Sequence, residues 1–149
     1  MTKTKVIDDF HGEHFFLDNF YPATVHYRDM TFPTSEHAYQ AMKSNSARIW
    51  AWFADRVPTP IQAKSLGNKI NLRCDWEEVK KGYMKNIVTA KFEQHPGLAK
   101  KLLATGDVML IEGNTWGDIT WGICNGEGKN WLGKILMELR DKLKEEGAI

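Results

Sequence analysis

The sequence predicts an α+β protein, mainly helical, forming a single domain with a few short antiparallel strands. Three observations predict it. A length of 149 residues with 42% hydrophobic and 26% charged side chains suits one globular core, over about residues 10–143 of a domain spanning 1–149. Apolar residues recur at helical spacing in two long stretches, Trp76–Phe92 and Leu132–Leu143. Strand-like patterns, by contrast, are confined to short pieces bounded by turn residues.

Each element follows from local chemistry. Phe15–Leu17 reads as a short strand running into the Asp18–Pro22 loop. Thr24–Phe32 alternates through Val25, Tyr27, Met30 and Phe32, predicting a hairpin that turns at Arg28–Asp29. Pro33 ends it, and Thr34 or Ser35 caps a helix to about Ser44. Ala47–Asp55 is a short aromatic helix stopped before Pro58. Thr59 or Pro60 opens a further helical turn to Ser65, closed by Gly67. Asp75 followed by Glu78 predicts a capping box, and Trp76, Val79, Tyr83, Met84, Ile87, Val88 and Phe92 form the stripe of the helix behind it. Pro96 starts another helix through Ala104, stopped by Gly106. Val108–Ile111 is a short apolar strand. Asn130 caps the last helix, whose inner face is Leu132, Ile135, Leu136, Leu139 and Leu143.

Bulk properties exclude several function classes. Twenty Lys and Arg stand against 19 Asp and Glu, so net charge is +1 and no global basic field favours sequence-independent DNA binding. Two cysteines, Cys74 and Cys124, form neither a zinc-ligand set nor a disulfide framework, and point to reduced thiols in a cytoplasm. Met1–Asp9 lacks an apolar signal core, and no apolar run reaches the length of a membrane span. Metal-ligand spacing is absent, and no cofactor is implied.

The densest functional signal lies at Trp116–Gly133, where three Trp, five Gly, two carboxylates and two Asn share eighteen positions. Glycine at this density marks sharp turns or close approach to a ligand. Tryptophan offers a flat face for a base. The glycines precede a helix N-terminus, where anionic groups bind readily. The segment reads as a pocket wall for a nucleotide-like ligand, with Trp121, Gly122, Gly128 and Asn130 its binding candidates.

Four polar groups carry possible chemistry. Glu36, Gln40 and Lys43 lie at i, i+4 and i+7 of one predicted helix and share a face. The bland alternative is that Glu36 and Lys43 merely complement the two helix ends. Lys91 sits beside an apolar stripe, and the ordinary explanation is a snorkelling lysine with a buried stem. Lys64, Lys69 and Arg73 around Gly67 suit either a phosphate loop or a solvated basic loop. Glu112 ends an apolar strand, and Asp118 stands in the glycine-rich segment, where a surface turn is its bland reading.

These pieces, in order, resemble the NADAR (YbiA-like) family. The resemblance runs from Phe10 to about Arg140. It begins with Phe10-His11-Gly12, Leu17-Asp18-Asn19-Phe20-Tyr21-Pro22 and the run Phe32 to Lys43. It continues through Ala63-Lys64, Gly67, Arg73-Cys74-Asp75-Trp76, Met84, Lys91-Phe92, Leu102 to Gly106 and Glu112. It closes with Asp118 to Gly122, Gly128 to Gly133, Leu136-Met137 and Arg140. Asp18 stands where members often have Ser, and Glu112 and Asp118 are one residue further apart than in many members.

The resemblance implies an N-glycosidase that cleaves ribose C1′ from a base or amine nitrogen. The implied substrates are phosphoribosylamino-pyrimidine intermediates of riboflavin synthesis, or ADP-ribose attached to guanine in DNA. Cleavage builds positive charge on the sugar, which a fixed carboxylate stabilises; Glu36, Glu112 and Asp118 are the candidates. A lysine of lowered pKa offers a second route through a Schiff base, with Lys43 ahead of Lys91. Trp121 or Trp76 would stack on the base, Asn19 would hydrogen-bond it, and the Gly128–Asn130 backbone would hold a phosphate. A non-catalytic sensor of ADP-ribose or NAD is the alternative from another class. It would keep Trp121 and the glycine-rich loop without needing Glu36 or Lys43.

Overall fold

The structure is a computed structural model that describes residues 5–147. In chain order its elements are β1 (Val6–Ile7), a 3-10 helix (Gly12–Leu17), β2 (Val25–Tyr27), β3 (Met30–Phe32), α1 (Ser35–Ala41), α2 (Ala47–Arg56), α3 (Pro60–Gly67), α4 (Trp76–Gln94), α5 (Pro96–Ala104), β4 (Met109–Leu110), β5 (Gly113–Asn114), β6 (Ile123–Cys124) and α6 (Trp131–Glu145). They gather into two compact units, one formed by Asn19–His95 and the other by the described residues up to Asp18 with those from Pro96 onward. No helix among the described residues is long and apolar enough to cross a membrane.

In the Asn19–His95 unit, α1 is the central element: all seven of its residues are buried. It packs against α2, α3 and α4. Thr34 caps it, its hydroxyl accepting from the His37 amide at 3.2 Å, which satisfies one of the open amides of the first turn. Beyond Ala41 the chain continues in tighter turns, with Lys43 N donating to Gln40 O at 3.2 Å and Ser44 N to Ala41 O at 3.1 Å. The helix expected to Ser44 thus ends in a 3-10-type turn. The hairpin is antiparallel, pairing Val25 with Phe32 and Tyr27 with Met30. Arg28 and Asp29 at its turn have φ of 54° and 62°, the type I′ geometry that suits the strand twist. Helix α4 buries Met84, Ile87, Val88, Lys91 and Phe92 and packs on β2. Near its end Gln94 acts as a surrogate strand, donating to His26 O and accepting from His26 N, both at 2.8 Å. A capping box at Thr59 and Gln62 starts α3, with Pro60 in its first turn.

In the other unit, α6 packs its Leu132, Ile135, Leu136, Leu139 and Leu143 face on β4 and α5. Arg140 on the same helix is buried, its Nη1 donating to Thr105 Oγ1 at 2.9 Å and Val108 O at 2.7 Å.

Four local expectations are corrected. Phe15–Leu17 belongs to a 3-10 helix, not a strand: Phe16 and Leu17 are both buried, and consecutive buried side chains cannot share one face of a half-solvated strand. The pairs β1–β4 and β5–β6 are parallel, so among the described strands the antiparallel expectation holds for the β2–β3 hairpin. Asp75 precedes α4 but makes no side-chain cap; Arg73 takes its carboxylate instead, at 2.7 Å. Asn130 precedes α6 in the left-handed conformation and its side chain turns back to the β4 segment rather than capping the helix.

Candidate active site

The Asn19–His95 unit brings Glu36, Gln40 and Lys43 together as their spacing predicts. Glu36 and Gln40 are 7% and 4% exposed, and Gln40 Nε2 donates to Glu36 Oε2 at 2.6 Å. A carboxylate so buried needs such a donor to offset lost hydration. The amide is held from its other side by Gly67. A Cβ built at Gly67 would meet Gln40 Oε1 at 1.8 Å and Cδ at 2.6 Å, so only glycine admits the amide here. Gln40 Oε1 itself is buried and accepts no hydrogen bond among the described residues.

Lys43 is half-buried at the end of this row, its Nζ donating to Gly67 O at 3.4 Å. Its pKa lies below the ordinary lysine value. Burial is the leading cause; the Glu36 charge opposes it, while Lys64 and Lys80 add to it. A lysine with lowered proton affinity beside a buried carboxylate is the combination that amine chemistry at a sugar carbon requires.

Asn19 positions this row. Its carbonyl accepts from Glu36 N at 3.1 Å, its Oδ1 accepts from Ser35 Oγ at 2.9 Å, and its Nδ2 donates to Met84 Sδ at 3.4 Å. Trp76 is buried, with its ring centroid 5.2 Å from that of Tyr39 and 6.5 Å from that of Tyr83, whose ring is stacked on it at an interplanar angle of 19°. The Lys91 amine does not snorkel. The residue is 1% exposed, and Nζ lies 5.6 Å from the Tyr21 ring centroid and 5.3 Å from that of Phe92. His37, beside Glu36, points the other way: Nε2 meets Val57 O at 2.9 Å, and burial lowers its pKa.

The remaining candidates cluster in the other unit. Glu112 is half-buried and accepts from Asn114 Nδ2 at 3.0 Å through Oε2. Its backbone is clasped from both sides, by Asn130 Oδ1 accepting from Glu112 N at 3.0 Å and by Ile123 N donating to Glu112 O at 2.8 Å. Gly122 makes room for this carboxylate: a Cβ there would fall 1.8 Å from Glu112 Oε2 and 2.0 Å from its carbonyl oxygen. Asp118 Oδ1 accepts from Thr120 N at 3.0 Å and Trp121 N at 2.9 Å, an Asx-type turn that fixes where Trp121 begins. Trp121 is half-buried and meets Trp131 edge to face, with 5.5 Å between centroids. Asn130 is buried and spends its amide on Leu110 O at 2.9 Å. Gly128 lies in the exposed part of the loop.

Gln40 takes the place its i+4 spacing from Glu36 predicts, as the amide of a polar row with Glu36 and Lys43. Two other groups in these clusters escaped sequence reasoning. Asn114 joins Glu112 to the Asp118 turn, donating to Asp118 O at 2.8 Å and accepting from Asp118 N at 3.0 Å through Oδ1. Nothing in its neighbourhood distinguishes it from any loop asparagine. His11 Nδ1 lies 2.5 Å from Asp9 Oδ1, and that hydrogen bond raises its pKa, with smaller contributions from Asp9, Asp18 and Glu112 as charges.

Comparison with known proteins yields a consistent set. The family model described as the NADAR domain matches residues 4–144. An N-glycosidase YbiA of Shigella flexneri is 41% identical over 133 residues, covering 87% of this chain and 82% of that protein. A riboflavin biosynthesis protein of Vibrio vulnificus is 39% identical over 141 residues, covering 93% of this chain but 37% of that longer protein. Among solved structures, the NMR structure of Escherichia coli YbiA superposes with a TM-score of 0.85 at 36% identity, covering 99% of this chain and 89% of that one.

Proposed function

The chain belongs to the NADAR family and is an N-glycosidase acting on a small nucleotide-type substrate, and on that premise we propose that it hydrolyses a ribose C1′–N bond with Glu36 and Lys43 at the reaction centre. The observation that carries the assignment is their shared face: a buried carboxylate, held by Gln40 at 2.6 Å, next to a half-buried amine of lowered pKa.

The chemistry follows from those two groups. Opening of the sugar ring leaves C1′ as an imine to the departing nitrogen. The neutral Lys43 amine adds to C1′; the C1′–N bond to the substrate nitrogen then breaks, and that nitrogen leaves with its electron pair and a proton. The result is a Schiff base between Lys43 and C1′. Water adds to it, C1′ becomes a carbonyl carbon, and the amine is returned. Glu36 stabilises the cationic carbon at each stage and accepts the proton of the attacking water. Gln40 keeps the carboxylate aimed, and Asn19 holds the helix start that carries it. Within the other unit, Asp118, Gly122 and Asn130 shape the loop that carries Glu112 and Trp121, and Gly128 lies in its exposed part. Two free cysteines suit a cytoplasmic setting for this reaction.

The favoured substrate is a phosphoribosylamino-pyrimidine of the riboflavin route, supported by the name of the Vibrio vulnificus relative. ADP-ribosylated guanine in nucleic acid is the second candidate; a single extruded base needs few phosphate contacts, which a net charge of +1 allows. Incubation with each substrate and mass-spectrometric detection of the released sugar tests the proposal. Turnover of the pyrimidine with loss in Glu36→Gln is expected. Tight ADP-ribose binding with no release from either substrate would instead make the protein a sensor.

A further inference from the structure

Two arginines near the start of α4 and at the hairpin turn have no place in the chemistry above. Arg28 Nη2 and Arg73 Nη1 both donate to the Tyr83 hydroxyl, at 3.4 and 2.9 Å. Both guanidiniums also lie against the Tyr83 ring, 5.5 and 5.1 Å from its centroid. Two like charges on one neutral acceptor repel each other. One carboxylate is present to offset them: Asp75 takes Arg73 Nε at 2.7 Å and Nη2 at 3.3 Å. Arg28 forms no ion pair with a described carboxylate, so the cluster keeps one uncompensated positive charge.

The backbone under Arg28 adds a second observation. Its φ of 54° is a left-handed conformation, followed by Asp29 at 62°. Type I′ turns favour Asn-Gly or Gly-Gly at these positions, and a long side chain is a locally poor choice. Local choices that work against the turn concentrate where the side chain has another task. The third observation is placement. Arg73 N donates to Lys43 O at 2.7 Å, so Arg73 is anchored directly to the residue that carries the amine. Trp76 continues the link through its contacts with Tyr39 on α1 and Tyr83 on α4.

We infer that Arg28 and Arg73, braced on Tyr83, form a clamp for a phosphate group of the ribosyl substrate. The inference rests on the reading of a phosphorylated ribose as substrate. Guanidinium forks match phosphate oxygens in geometry and charge. Sharing one hydroxyl keeps the two guanidiniums within the span of a single phosphate: the Arg28 fork meets the oxyanion, while Arg73, its own fork held by Asp75, adds positive charge beside it. The phosphate is either the 5′-monoester of a phosphoribosyl compound or the pyrophosphate of ADP-ribose.

Calorimetric titration of the full chain with ribose 5-phosphate, ADP-ribose and unphosphorylated ribose tests this without requiring turnover. Arg28 is an exposed turn residue, so Arg28→Ala should fold, as circular dichroism would verify. The wild type should bind a phosphorylated probe more tightly than ribose. Arg28→Ala should weaken that binding by about tenfold or more, with Arg28→Lys recovering part of it. Weakening confined to ribose 5-phosphate assigns the monoester, and weakening confined to ADP-ribose assigns the pyrophosphate; either supports the clamp. Equal affinity of Arg28→Ala and wild type for both phosphorylated probes overturns it, as does a wild type indifferent to phosphate. Should no sugar be released from any substrate while phosphate binding still depends on Arg28, the hydrolase reading fails and the clamp stands.

Discussion

At Lys43 two opposing effects meet, and burial outweighs the attraction of Glu36. The folded chain therefore holds the Lys43 proton less tightly than the unfolded chain does. Stability linked to this group is present above the ordinary lysine pKa and is lost as pH falls through the depressed folded value. Urea denaturation of Lys43→Met and wild type at a series of pH values checks this: the variant should compare best near neutrality and lose ground as pH rises toward the lysine range. A pH-independent difference would mean that burial does not perturb this amine. Gly67 supplies the second residue-scale prediction. A methyl group there must displace the Gln40 amide, and with it the donor to Glu36. Gly67→Ala should lower kcat by about tenfold or more while the chain still folds, the loss expected when a charge-assisted hydrogen bond is removed; steady-state kinetics and circular dichroism read the two outcomes. The Glu36–Lys43 face was legible because helical spacing alone puts those residues on one side. The Gly67 contact was not, because glycine in sequence announces only that something passes close.

Among the elements, α1 shows how local chemistry and tertiary demand agree. Pro33 stops the strand, Thr34 caps the helix, and the apolar Ala38, Ala41 and Met42 seat it inside the unit. Thr34→Ala removes the acceptor for the His37 amide and also a partner of His37 Nδ1 at 2.7 Å. It should destabilise the protein by about 1–2 kcal/mol, measured as a shift in urea midpoint with unchanged slope. Where an expected element failed, a stronger partner had taken the side chain. Asp75 looked like a cap, but the Arg73 guanidinium holds it more firmly than an open amide would. Asn130 looked like a cap, but its left-handed backbone aims the amide at Leu110 O and Glu112 N. The partners of Asn130 lie 18 and 20 residues away, beyond any local pattern, whereas Arg73 stands two residues before Asp75 and only its side-chain direction is hidden there.

For the whole molecule, the long periodicities carried the prediction and the short ones did not. The stripes of α4 and α6 set the class as mainly helical, and the ordered family pieces then identified the chain. Strand direction lay beyond reach: β1, β4, β5 and β6 have two residues each, too few for alternation to express a partner or its polarity. The division into two compact units was equally hidden, since one of them joins segments from both ends of the chain. The cleavage is assigned to a carboxylate on α1 and an amine on the turn that ends it. Borohydride reduction during turnover, followed by peptide mass spectrometry, tests it most directly. A reduced sugar adduct on Lys43, absent in Lys43→Ala and diminished in Glu36→Gln, is the result expected. An adduct on Lys91, or undiminished turnover in Lys43→Ala, would contradict it.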